Sequence, residues 1–442
     1  SASLSQRHRP RVADRVSSAA ARRLAAGAPC SPGRPGRNAA APRLETHGLE
    51  LREQVPGVKI GLVSPYDLAV PGGVNSHVHH LADHFTRLGH EVRIIAPASD
   101  LRGLSLNAII LGKPRAIPAG GSIARMAMSP RLADPVRRIL TEERFDVVHV
   151  HEPLVSFLPI QFLRFSDAIN VGTFHAARDS GARLYAYTRR LLKTCFRRLD
   201  GKIAVSQAAA RLIAPHFPGY YNIIPNGVDV PRFSNPQPPL PEFNDGMVNI
   251  LFVGRFEKRK GLRYLLRAFM SVKAARPSTR LVVVGAADER QRRRYQRWVE
   301  ENRVPDVVFA GFVPYELLPR YHHSAHIFCA PNTGNESQGI ILLEAMAAGR
   351  PVVASNIEGF AGVMTHGVEG LLVRPHDSES LAAALIDLVD DPERRAAMGA
   401  KASERAQHFS WDRVSQRVLS YYERLAFEKG YIQLERPSPV EA

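Results

Sequence analysis

Cysteine is scarce: the 442-residue chain carries three, Cys30, Cys195 and Cys329, far apart in sequence. No CxxC or similarly close pair occurs, which excludes a zinc ribbon or a disulfide scaffold. No apolar run approaches the roughly 18 residues that a membrane helix needs. Several signatures are missing too. There is no G-x-G-x-x-G after a strand, no P-loop, no G-x-S-x-G and no H-E-x-x-H. Nicotinamide oxidoreductase, kinase, serine hydrolase and zinc protease readings therefore lose their anchors. Acidic residues are few, 42 against 59 Lys and Arg, for a formal net charge of +17. That excess points to an anionic partner: nucleic acid, acidic lipid or a phosphorylated substrate. Few cysteines and no secretory signal fit a reducing, cytoplasmic compartment. Hydrophobic residues at 45% and charged residues at 23% exclude a wholly disordered or coiled-coil chain, and the length allows two or three domains.

Residues 1–57 stand apart. They hold ten Arg and four acids, no aromatic residue and no sustained hydrophobic period, and no Met occurs before Met126. Such composition predicts a disordered extension. It reads as a targeting peptide, as a basic arm, or as upstream sequence with the true start near Val58. Order begins at the apolar run Val58–Val63, a predicted buried strand. Pro71-Gly72-Gly73 makes a turn, and Val78, Leu81, Ala82, Phe85 and Leu88 then recur at helical spacing. Further strands are expected at Val92–Ala96, Val147–Val150, Ile169–Thr173, Ile203–Val205 and Ile223–Ile224. Pro231 to Gly246 holds five prolines and reads as a linker. A second series follows, at Ile250–Val253, Leu281–Val284, Val307–Phe309, Ile327–Ala330, Pro351–Ala354 and Gly370–Val373. Two such series predict an α/β protein of two doubly wound domains facing across a cleft. The expected division is an extension (1–57), a first domain (58–230), a linker (231–246), a second domain (247–408), a crossing helix (409–428) and a tail (429–442).

The stretch Asn332-Thr333-Gly334-Asn335-Glu336-Ser337-Gln338-Gly339, followed by Ile340 to Gly349, is the most informative. It places a polar loop between a strand and a helix whose first N–H groups suit a phosphate. Glu336 and Glu344 lie eight apart, so both can lie on one side; solvated glutamates on a capped helix are the plain alternative. Arg255 and Lys260 follow the strand Ile250–Val253, where strand ends of doubly wound domains meet ligands. Two cations there suit a leaving diphosphate, or else form a solvated basic turn. Gly73 lets a ligand approach the backbone. His151 and His175 sit at strand ends and could bond a substrate hydroxyl or simply be structural. His80 and His84 have metal-ligand spacing, but no third ligand is evident, so no metal is expected. From Arg131 a basic amphipathic helix is expected, with Arg131, Arg137 and Arg138 beside Val136, Ile139 and Leu140. Its plain alternative is a surface helix packed on its own domain. No D-x-D, the metal–diphosphate bridge of single-domain sugar transferases, occurs. Basic residues are not interleaved with aromatics, so a nucleic-acid partner is not expected.

Together these motifs resemble the retaining glycosyltransferases of the two-Rossmann GT-B type, family 4. Glu336…Glu344, Gly254-Arg255…Lys260-Gly261, Ile224-Pro225-Asn226-Gly227-Val228-Asp229 and Phe409-Ser410-Trp411-Asp412 carry the likeness. Pro65-Tyr66, Val70-Pro71-Gly72-Gly73-Val74, His149-Val150-His151-Glu152-Pro153, Thr173-Phe174-His175 and Cys329 to Gly334 are similar to bacterial phosphatidylinositol α-mannosyltransferases. The resemblance spans about residues 58–427. It implies an acceptor domain first and a nucleotide-sugar domain second, with a sugar, mannose from GDP-mannose, passed to a phosphatidylinositol-type lipid. A UDP-sugar and another glycolipid or a soluble acceptor is the alternative. Gly73, Arg255 and Lys260 would meet the donor diphosphate, Glu344 the ribose and Glu336 the transferred sugar. His151 would bond the sugar 6-hydroxyl. Ser337, Gln338, Gly339 and Ile340 would give backbone contacts. Tyr66, Asn75, Ser122 and Arg125 would line the acceptor pocket, Asn75 standing where the resembled enzymes have Gln. The implied partners are a nucleotide-sugar, an anionic phospholipid and the inner membrane face, met through Arg131, Arg137 and Arg138. No cofactor is implied.

Overall fold

The structure, a computed structural model, describes residues 57–119, 122–176 and 179–431. The basic extension, up to residue 56, and most of the tail lie outside the described residues. The first series folds in chain order as β1 (Lys59–Val63), α1 (Gly73–Arg87), β2 (Glu91–Ala96), β3 (Ala108–Ile110), β4 (Pro114–Ala119), β5 (Ser122–Ala127), α2 (Ala133–Glu143), β6 (Val147–His151), α3 (Phe157–Phe165), β7 (Ile169–Phe174), α4 (Asp179–Arg197), β8 (Gly201–Ala204), α5 (Gln207–Ile213) and β9 (Asn222–Ile223). Seven strands form one parallel sheet, ordered β3-β2-β1-β6-β7-β8-β9. Side chains alternate between its faces. Ile60 and Leu62 of β1 point into the core beneath α1, while Val63 points to the core beneath α2 to α5. The pair β4 and β5 is a separate antiparallel hairpin.

The second series runs α6 (Val230–Ser234), β10 (Val248–Val253), α7 (Leu262–Ala275), β11 (Thr279–Val284), α8 (Glu289–Glu301), β12 (Val307–Gly311), α9 (Leu318–Ser324), β13 (Ile327–Ala330), α10 (Ile340–Ala347), β14 (Val352–Ser355), α11 (Glu358–Ala361), β15 (Gly370–Val373), α12 (Ser378–Asp390), α13 (Pro392–Gln407) and α14 (Trp411–Glu428). Its parallel sheet has the order β12-β11-β10-β13-β14-β15. The stretch read as a linker is packed. Phe233 and Phe243 are buried in the core of the second domain together with Leu342, Met346 and Phe360. Its prolines fix turns, and isolated aromatics rather than a periodic pattern anchor it.

The helix α14 crosses back. Trp411, Val414, Val418, Tyr421, Tyr422 and Leu425 complete the first domain's core beside α1. Two sequence motifs meet at this crossing. The Val228 N–H donates to the Phe409 carbonyl at 2.8 Å, and Val228 bridges Ser410 in parallel. A Cβ on Gly227 would lie 2.4 Å from the Trp411 ring, so only glycine fits. Strand order reverses at β1/β6 in one sheet and at β10/β13 in the other. Ligands of doubly wound sheets bind at such reversals, beyond the strand ends.

Candidate active site

In the first domain β1 ends at Val63, and α1 begins at Gly73 with Gly72 as an extended cap. A Cβ on Gly72 or on Gly73 would meet nothing within 4 Å, so the backbone borders open space. No acid sits in the first turn of this 15-residue helix, whose dipole and unpaired N–H groups favour an anion.

Beside it lie the histidines of β6 and β7. His149 is saturated: Nδ1 meets the Tyr422 hydroxyl and Nε2 the Thr173 hydroxyl, each at 2.6 Å. His151 is 0% exposed. Its Nδ1 lies 3.0 Å from His175 Nε2, and its own Nε2 has no partner. The His77 ring from α1 stands edge-on to both, with centroids 5.2 Å from His151 and 4.9 Å from His175. Burial pushes these rings below the ordinary histidine value, so they are neutral. Glu152 follows in the left-handed region with φ of 48°. Its Oε1 accepts the His175 N–H at 2.8 Å, which fixes the loop carrying that ring. Burial raises this carboxyl to about 7.

In the second domain Lys260 lies in the short 3₁₀ turn after β10. Its Nζ donates to Glu336 Oε1 at 2.6 Å, and Asn332 Nδ2 to the same oxygen at 2.9 Å. Arg259 joins it as a further donor, and also pairs with Glu257 at 2.8 Å. Burial alone would raise the Glu336 carboxyl, but Lys260 and Arg259 outweigh it and hold it below the ordinary range. Arg255 pairs with Glu257 at 2.9 Å and links to the cluster through that residue. Glu344 lies buried on α10, with burial raising it to about 8 despite Lys260. No sequence signal singles out Arg259, because the three adjacent cations Lys258, Arg259 and Lys260 look alike and the turn alone decides which faces inward.

Other expected contacts are placed differently. Asn75 is not open to a ligand: Nδ2 donates to the Asp67 and Val70 carbonyls, and Oδ1 accepts from Ser64. A buried amide must satisfy both ends, and this one does so by knitting the loop after β1. Tyr66 is half-buried and bridges Met126 of β5, while the Asp67 N–H reaches the Arg125 carbonyl at 2.9 Å. The hairpin thus brings exposed Arg125 beside Tyr66. Ser122 begins β5, at the other end of that strand. The Ile340 N–H is spent on the Gln338 carbonyl at 3.0 Å instead of facing a phosphate. The Gln338 side chain spans the domains: Oε1 accepts the Asn226 N–H at 2.6 Å, and Nε2 donates to the Asn226 carbonyl at 3.0 Å. Arg211 of α5 and Glu358 of α11 make a second bridge at 3.1 Å. Between them opens a pocket of about 460 Å³ lined by Arg211, Thr333, Gly334, Glu336 and Gly359. A larger groove of about 620 Å³ lies outside the cleft, along Arg413, Arg417 and Arg424 of α14.

The expected membrane helix also differs. Val136 is fully buried, and Ile139 and Leu140 pack against the same core, so the apolar stripe of α2 is used within its own domain. Arg137 lies 4.1 Å over the Phe165 ring and pairs with Asp134 at 3.1 Å. Arg131 and Arg138 are exposed.

Two family models cover this frame: Glycosyltransferase Family 4 matches residues 71–232, and Glycosyl transferases group 1 matches residues 238–405. The chain is 36% identical over 370 residues to a phosphatidyl-myo-inositol mannosyltransferase of Mycolicibacterium smegmatis, covering 84% of this chain and 94% of that protein. The chain belongs to glycosyltransferase family 4. The Mycobacterium leprae phosphatidyl-myo-inositol mannosyltransferase is likewise 36% identical, over 85% of this family 4 chain and 100% of its own. Among solved structures, a sucrose-phosphate synthase from Thermosynechococcus elongatus superposes with a TM-score of 0.66 at 21% identity, over 84% of this chain and 100% of that one. A Rickettsia africae glycosyltransferase gives 0.69 at 18%, over 84% and 98%. These likenesses establish the GT-B fold. The family 4 transferase is a hexosyltransferase whose two strand-order reversals carry the histidine cluster on one side and the Glu336 cluster on the other.

Proposed function

We propose that this enzyme transfers mannose from GDP-mannose, with retention, to the inositol ring of a phosphatidylinositol-type lipid at the inner face of the cell membrane. The relatives named as phosphatidyl-myo-inositol mannosyltransferases support the transferred sugar and the acceptor. The observation that carries the chemistry is the Glu336 carboxylate, kept charged by Lys260 and Arg259. A nucleotide-sugar entering the cleft exchanges these contacts. Lys260 and Arg255 turn to the diphosphate and stabilise its departing charge, and Glu336 accepts from sugar hydroxyls. Glu344 takes the ribose, and the partnerless His151 Nε2 takes a sugar hydroxyl. The bond from the anomeric carbon to phosphate breaks as the acceptor oxygen attacks from the same face. The acceptor proton passes to the leaving diphosphate, so no second carboxylate of the glycosidase kind is needed. Protein cations meet the diphosphate charge, and in this reading transfer needs no metal.

No helix among the described residues is long and apolar enough to cross a membrane. Peripheral attachment then rests on surface charge and on α4. Tyr187 and Leu191, one turn apart, are 88% and 81% exposed, with Arg190 and Arg197 exposed on the same helix. The same helix reaches inward through Tyr185, whose hydroxyl donates to Glu152 at 3.4 Å. A lipid surface along α4 would therefore border the acceptor site.

Purified chain, phosphatidylinositol vesicles and labelled GDP-mannose in the presence of EDTA test the reading. An α-linked mannolipid is expected; its absence with active enzyme sinks the assignment. A UDP-sugar is the second reading. Tyr315, under Arg232 at 4.8 Å and close enough to Glu344 to feel its charge, offers the base a flat aromatic face that does not select guanine. Higher turnover with a UDP-sugar than with GDP-mannose selects it.

A further inference from the structure

His77, His151 and His175 come from three elements, α1, β6 and the loop after β7, and each offers one ring nitrogen to the same cluster. Those nitrogens all lie within 4.8 Å of one another. His77 Nδ1 and His151 Nε2 are buried without a partner. His77 and His151 are 3% and 0% exposed. Neighbouring rings are otherwise engaged. His149 bonds at both nitrogens, and His80 stacks on Trp411 at 4.8 Å. His84 meets Asp412 and Arg87. The pair with metal spacing in the sequence is thus not the set the fold assembles.

We propose that His77, His151 and His175 form a binding site for a borderline transition-metal cation of the zinc class, and that the bound ion blocks sugar transfer. Imidazole nitrogens suit such ions, and three protein ligands with one open position is a common arrangement. Tetrahedral zinc, with bonds of about 2.0–2.1 Å, asks for nitrogens about 3.3 Å apart. His151 Nδ1 and His175 Nε2 already stand 3.0 Å apart. His77 completes the set by a small ring movement. Coordination at His151 Nδ1 keeps the ring proton on Nε2, so that nitrogen can no longer accept from a sugar hydroxyl. Blocking rests on the transferase reading above; metal binding does not.

The full chain, without a polyhistidine tag and stripped by chelator, is titrated with Co²⁺ and followed by visible absorption. One equivalent is expected to give the intense band of a tetrahedral ion, and Zn²⁺ to abolish it. His77→Gln and His175→Gln should each weaken binding by at least ~10-fold, the effect of disturbing even an outer partner of a metal ligand. His80→Gln should leave it unchanged. Circular dichroism confirms that each variant is folded, and His175→Gln decides if His77→Gln is not. Only the weak band of hydrated Co²⁺ in the parent, or parental affinity in a folded triad variant, overturns the site. Zn²⁺ should also inhibit transfer, reversibly with EDTA and less in His77→Gln. Full turnover with zinc bound overturns the blocking, while the Co²⁺ titration still stands by itself. Lack of transfer with every donor fails the functional reading and leaves the Co²⁺ result to decide the metal site.

Discussion

Burial sets the Glu344 carboxyl at about 8, so near neutral pH it stands mostly protonated before any donor arrives. A ribose hydroxyl that donates to it needs the anion, so donor binding should tighten as pH rises toward that value. Stability runs the other way. The folded state holds this proton more tightly than the unfolded chain does. Its contribution is complete below the ordinary carboxyl value of 4.5 and is lost as pH rises to about 8. Glu344→Gln removes that slope. Thermal melts should show the variant gaining on the parent between about pH 4.5 and about pH 8, by roughly 1.4 kcal/mol per unit in the middle of that window. A gap independent of pH would show that the carboxyl is not raised. In the proposed reaction Lys260 and Arg255 would meet the leaving group; Lys260 bonds Glu336, and Arg255 pairs with Glu257. Lys260→Ala, Arg255→Ala and Glu344→Ala should each lower kcat by about a hundredfold with the fold intact. Near-normal turnover in Lys260→Ala would remove the central cation from the mechanism.

Elements explain which parts were readable. Strands β1, β6, β10 and β13 are short apolar runs bounded by Pro, Gly or polar residues, and both sheets follow from them. The hairpin was not readable. Pro114 and Pro118 lie inside β4, and prolines in a short run read as a loop unless the strand stands at an edge. The Asn226–Gln338 bridge spans 112 residues of sequence, and no local pattern announces such a pair. The partners that hold Asn75, the Asp67 and Val70 carbonyls and the Ser64 hydroxyl, carry no sequence signal of their own. Two tests belong at this scale. Gly227→Ala puts a methyl group into the Trp411 ring at the root of α14. It should cost about 1–3 kcal/mol in urea unfolding, and a parental midpoint would mean the crossing yields easily. For the membrane, Arg131→Ser, Arg137→Ser and Arg138→Ser together should reduce sedimentation with anionic vesicles, and Arg190→Ser with Arg197→Ser more so. Each cation near such a surface contributes about 1 kcal/mol, screened by salt. Arg137 is already engaged by Phe165, so it should matter least. Unchanged sedimentation of the α4 pair would move the contact elsewhere.

At the scale of the molecule, β1 lies in the middle of the first sheet, and the sequence before Val58 carries no sustained hydrophobic period. A chain beginning at Val58 should therefore fold and turn over like the full chain; loss of either on truncation would give the extension a part in the machine. The join between the halves has its own consequence. The chain passes from one half to the other twice, near residues 227–230 and 409–411, and the two passages are bonded side by side, Val228 to Phe409 and Gly227 against Trp411. A pair of straps stitched together at one edge behaves as a hinge pin. Such a join favours swinging of the halves, like a book about its spine, over sliding past each other. The Gln338 and Arg211 bridges act as the clasp of that book. A protease nick between Asn235 and Leu240 would cut one strap and leave the covers attached, because the second strap carries α14 deep into the opposite half.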